Sequence, residues 1–152
     1  MSELGDRIGE NIAAIRRRID GAAERAGRDP AGVALLPVTK MQDAGTTAAL
    51  LEAGVAEIGE NRVQDALRKA VAMGDAASKF GWQLVGHLQT NKVRKALELF
   101  SGLHSLDSVR LARALEKEMA ARHGERRLPV YVEVNTTGEE ANCHIWPWIR
   151  QR

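Results

Sequence analysis

Short apolar runs alternate with helical stretches along most of this chain, and that rhythm restricts the fold more than any other feature. Val33-Ala34-Leu35-Leu36-Pro37-Val38-Thr39-Lys40, Val55 to Ile58, Trp82 to Val85, Leu103 to Leu106 and Val130 to Asn135 read as five strands. Near-continuous apolar character is what strands covered on both faces of a parallel sheet display. Recurrence at intervals of roughly 20 to 25 residues, with a helical pattern in each gap, predicts right-handed βαβ units. A barrel and an open doubly wound sheet both satisfy this rhythm. No G-x-G-x-x-G follows the first strand and no Walker motif occurs, which weakens dinucleotide and nucleoside-triphosphate readings and moves the barrel ahead.

The helical segments carry their own punctuation. Leu4, Ile8, Ile12, Ile15 and Ile19 fall on one side of a helix that Ser2 can cap and Gly27 can end, and Asp29-Pro30 turns the chain into the first strand. Thr46 to Ala53 is stopped by Gly54, and Val63 to Met73 places Val63, Ala66, Leu67, Ala70 and Val71 on one face. Asn91 to Phe100 follows, and Asp107 can cap a helix from Ser108 to about His123.

Composition narrows the function classes. A chain of 152 residues that is 44% hydrophobic and 28% charged can bury a core as one globular domain. Its net charge of +2 supplies no strong field, so neither nucleic acid nor membrane is the expected partner. The run Arg16-Arg17-Arg18 shares its helix with Glu10, Asp20 and Glu24 and reads as a solvated face. With no leader-like stretch and no run of membrane-spanning length, the expected location is cytoplasmic. Cys143 is the only cysteine, and the four histidines have no metal-ligand spacing, so no metal is expected. Residues 142–152 break the rhythm: they hold Cys143, Trp146 and Trp148, with Pro147 opposing a helix. We read residues 1–141 as part of a barrel and 142–152 as a divergent tail of the kind a shifted reading frame produces.

Parallel α/β folds gather their chemistry where strands end. Lys40 ends the first run, and a lysine there with an apolar surround has the amine that forms an imine with an aldehyde, since burial favours the neutral form. Alternatively it reaches from the strand end to water. Asn61 can donate to and accept from a polar ring substituent, or cap the next helix. His87 follows a glycine and can meet a flat heteroaromatic ligand, or serve a structural role. Gln89, Asn91 and Lys92 suit either an anion or simple capping.

Taken together, Val38-Thr39-Lys40, Gly59-Glu60-Asn61-Arg62-Val63-Gln64 and Gly86-His87-Leu88-Gln89-Thr90-Asn91-Lys92 resemble, in order and spacing, the pyridoxal-phosphate homeostasis proteins, also called YggS-like or PROSC-like. The resemblance runs from the first helix to about Ala141. It implies a partial (β/α) TIM-type barrel like the N-terminal domain of alanine racemase, with about five of eight parallel strands and an extra N-terminal helix. It also implies pyridoxal 5′-phosphate held as an internal aldimine on Lys40, with Asn61 and His87 in motifs bordering the cofactor. The implied role is that of an intracellular carrier or regulator passing the cofactor to apoenzymes, without an established turnover reaction. Family members run longer, and their late strands supply the phosphate cradle. An incomplete barrel is therefore expected to bind the cofactor weakly and to self-associate. A racemase-like enzyme is the alternative, but it needs an acid or base on the opposite ring face. Tyr131 lies mid-strand and is expected to pack. A pure interaction module, with Lys40 incidental, is the third reading.

Overall fold

The computed structural model describes residues 2–122 and 124–134. Among them, helices and strands alternate as α1 (Glu3–Arg25), α2 (Ala44–Glu52), β1 (Glu57–Glu60), α3 (Val63–Met73), β2 (Gly81–Leu84), α4 (Val93–Leu97), β3 (Phe100–Leu106), α5 (Val109–Arg122) and β4 (Val130–Val132). All adjacent strands pair parallel, in the order β1-β2-β3-β4. Among the described strands the order never reverses, so they show no switch point of the doubly wound kind; a sheet that grows in sequence order with helices between its strands is a portion of a (β/α) barrel. The divergent-tail reading of 142–152 and the end of the predicted last strand, Asn135, lie outside the described residues.

One face of the sheet is sealed by helices. Ile58, Trp82, Leu84 and Leu103 pack with Val63 and Ala66 of α3, Val93 and Leu97 of α4, and Leu111 and Leu115 of α5. Fully burying each large side chain contributes about 1.5 to 3 kcal/mol, so this layer is the main source of stability. The Trp82 indole Nε1–H donates to the Ala77 carbonyl at 3.0 Å, which satisfies its one polar group.

The first apolar run departs from the expected strand over 33–40. It forms a single parallel bridge, Val38 with Gly59, in which the Gly59 N–H donates to Pro37 O at 2.8 Å and the Thr39 N–H to Gly59 O at 2.9 Å. Pro37 has no N–H to extend a ladder. Further back, the carbonyls of Pro30 and Val33 are taken by the Arg16 guanidinium. Arg16 also pairs with Asp20 at 3.0 Å. It therefore ties α1 to the segment behind the strand, which corrects the solvated-face reading for this residue, while Arg17 and Arg18 are exposed.

Helix ends follow the residues that can close them. Ser2 Oγ accepts from Gly5 N–H at 3.1 Å, and the chain leaves α1 through Gly27 at φ +65°. Asp43 caps α2 by accepting from Thr46 N–H at 2.6 Å, so that helix starts earlier than the predicted Thr46. Ile8 and Ile12 reach the core, whereas Ile15 further along the stripe stays exposed. The helix expected over 91–100 is shorter, because Phe100 is drawn into β3 and pairs with Trp82. At the start of α5 the Leu111 N–H donates to Ser108 Oγ at 3.3 Å, and the Asp107 carboxylate reaches His87.

Candidate functional site

Because the strands are parallel, the residues that follow them emerge on one rim of the sheet. Lys40 follows the leading bridge, Asn61 follows β1, His87 lies just past β2, and Asp107 directly follows β3. The bridge that pairs Val38 with Gly59 lies two residues before Lys40 on one side and two before Asn61 on the other. Lys40 stands in a turn with Met41, whose φ is +63°, and the Gln42 N–H closes that turn onto the Thr39 carbonyl at 3.0 Å. Lys40 is exposed, so the described residues do not form the apolar surround expected around it. No hydrogen bond or ion pair among those residues engages its ammonium.

Gly86 makes the next part of the rim possible. A Cβ there would stand 2.2 Å from the Asn61 carbonyl oxygen and 2.3 Å from Asn61 Oδ1. Only a residue without a side chain lets the two strand ends close against each other. The Gly86 carbonyl is in turn held by Ser105 Oγ–H at 2.7 Å. Asn61 does not cap α3, whose N-cap Arg62 makes no side-chain cap bond. Asn61 and His87 instead line one cleft of about 270 Å³ with Arg62, Gln64, Gln89 and Lys92. Lys92 Nζ donates to Gln64 Oε1 at 3.1 Å across this cleft, binding the second and third motifs together.

His87 also borders a larger hollow of about 620 Å³ that includes Gln89, Asp107, Arg110 and Glu133. Its Nδ1 lies 2.7 Å from Asp107 Oδ2, with the imidazole mostly exposed and the carboxylate buried. A carboxylate only accepts here, so the proton is assigned to Nδ1 and the other ring nitrogen is left to face a ligand. Tyr131 stacks obliquely on His104, with ring centroids 4.6 Å apart, which is the packing role expected for it. Thus the structure unites Asn61 and His87 in one cleft and places Lys40 on the adjoining strand end, outside the lining of either hollow.

Two groups escaped notice in the sequence. Glu60 is buried and bonded to Thr39 and Lys69, although its place inside Gly59-Glu60-Asn61 marks an acid at the end of a strand. Lys69 gives no local signal, since a lysine on an amphipathic helix normally faces water. Asp107 was visible only as a helix cap.

These strand-end residues stand on a partial (β/α) barrel of parallel strands. No family model matches the chain. Curated relatives do: it is 39% identical over 140 residues to the pyridoxal phosphate homeostasis protein of Pseudomonas aeruginosa, covering 92% of this chain and 59% of that one. To the protein of the same name from Escherichia coli K12 it is 32% identical, covering 91% and 58%. Among solved structures, an unknown protein from Bifidobacterium adolescentis superposes with a TM-score of 0.81 at 32% identity, over 94% of this chain and 61% of that one. PipY of Synechococcus elongatus, solved with PLP bound, gives 0.69 at 32% identity over 83% and 57%. The chain belongs to the pyridoxal phosphate homeostasis protein family and spans a little under three fifths of the length of the curated relatives it matches. No helix among the described residues is long and apolar enough to cross a membrane.

Proposed function

We propose that this chain holds pyridoxal 5′-phosphate, attached through Lys40, and serves in handling that cofactor for apoenzymes that need it. The observation that supports the reading is the Val38–Gly59 bridge, which sets the strand end before Lys40 against the one before Asn61, whose cleft also holds His87. A relative of the same fold has been solved with PLP bound.

The residues present fit such a group. When bound, the cofactor supplies an aldehyde for a primary amine and a ring that withdraws electrons. The exposed Lys40 amine, engaged by no ion pair among the described residues, would hold the group through its nitrogen. Asn61 offers an amide that donates and accepts, and His87, fixed at Nδ1 by Asp107, offers its second nitrogen at the cleft wall. Arg62 and Lys92 put positive charge beside the same cleft, suited to an anionic substituent.

The test is reductive trapping. Chain incubated with pyridoxal 5′-phosphate and treated with borohydride should carry one added pyridoxyl phosphate on the peptide containing Lys40, and Lys40→Ala should lose both that label and the visible absorption band before reduction. Label on another lysine, or none at all, overturns the assignment.

A further inference from the structure

Behind the rim lies a buried pair of charges that lines neither of the two hollows. The side chains of Glu60 and Lys69 are 2% and 8% exposed and form an ion pair. Lys69 Nζ also donates to the Thr39 carbonyl at 2.6 Å, and Thr39 Oγ1–H donates to Glu60 Oε1 at 2.6 Å. Both members of the pair thus bond Thr39, the residue immediately before Lys40. We propose that the Glu60–Lys69 pair is a positioning device: it clamps Thr39 and so sets where Lys40 is presented on the rim. This rests on the reading of Lys40 as the attachment residue.

Stability alone does not account for the pair. Desolvating two charges offsets most of their attraction, and well-packed apolar replacements of similar volume commonly hold a fold as well or better. The segment being clamped is the one most in need of a hold. Its pairing with the sheet is a single bridge, and Pro37 removes a donor that a longer ladder would use. The Thr39 carbonyl accepts from both Lys69 and the Gln42 N–H. One atom therefore joins the clamp to the turn that contains Lys40, and that turn includes Met41 in the left-handed region, a conformation its surroundings must maintain. Helix α3 thereby becomes the reference against which the lysine is placed.

The experiment uses the full chain and the double variant Glu60→Leu/Lys69→Met, which keeps volume and removes both charges. If the pair positions Lys40, thermal unfolding stays close to that of the parent while trapping of pyridoxal 5′-phosphate on Lys40 slows about ten- to a hundredfold, the scale of a misplaced reacting group. In the chain without cofactor, the Gln42 amide should exchange with solvent faster in the double variant. Parent-like trapping and parent-like exchange together with an unchanged unfolding temperature overturn the proposal. Parent chain that never labels Lys40 overturns the attachment reading, while the Gln42 exchange comparison still decides whether the clamp exists. Should the double variant fail to fold, Thr39→Val decides: loss of the one hydroxyl donor should slow trapping about three- to tenfold, and an unchanged rate refutes the clamp.

Discussion

The two faces of the sheet are built to different standards. On the helix side, Ile58 is 0%, Leu84 1% and Trp82 2% exposed. On the other, Val38 is 47% exposed, and Gly59 faces Val38, Leu36 and Val85, with side-chain carbons 3.1 to 3.4 Å from where its Cβ would stand. Polar groups replace packing further down that face. The Gln83 amide lies over Gly102 and donates to Glu57 at 3.0 Å. The contrast teaches that stability and the candidate site are drawn from separate surfaces: the helix-covered face supplies the first, and the rim carries the second.

The contrast can be broken or sharpened by substitution. Trp82→Ala empties the sealed face and should cost about 3 to 5 kcal/mol in urea unfolding; a loss under about 1 kcal/mol would mean that face is not the core. Gly86→Ala pushes a methyl into the Asn61 backbone and should cost about 1 to 3 kcal/mol. It should also weaken cofactor capture, measured as the absorption band at fixed concentration. Val38→Thr keeps the shape of an already exposed side chain and should change stability by less than about 0.5 kcal/mol; a larger loss would show that the inner face is packed in solution.

The smallest effect concerns pH. The Ser2 backbone N–H, then its hydroxyl, hold the Glu52 carboxyl below its ordinary 4.5, and the Thr46 backbone N–H, then its side chain, hold Asp43 below 3.8. A carboxyl depressed in the folded state contributes stability above its unfolded value and loses it as pH falls through the folded one. Unfolding midpoints should therefore decline from about pH 5 towards pH 3, and Glu52→Gln should flatten part of that decline. An identical acid limb in the variant would remove Glu52 from the account of how α1 is tied to α2.

Much of the architecture was legible because its signals are local. Ser2, Gly27 and Gly54 mark helix ends by a hydroxyl that accepts or a backbone that tolerates positive φ. The predicted helix over 63–73 is the observed one. Errors came where a distant partner outbid a local one. Phe100 left its helical context for a place beside Trp82 in the sheet. Asp107 bonds a histidine 20 positions earlier, a partnership that no local signal announces, and Ser108 accepts from the Leu111 N–H at the start of α5. Arg16 took carbonyls that a longer first strand would have needed.

The sequence by itself determined the alternation of parallel strands and helices, the sealed face, and three motifs that resemble one family, since each depends on periodicity or residue type within a short window. Only the tertiary structure decided that Asn61 and His87 share a cleft, that Val38 bridges to Gly59, and that Lys69 reaches the Thr39 carbonyl beside Glu60. Those relations join residues from different strands and helices, and their distances are set by strand register and helix packing, which no single stretch of chain encodes.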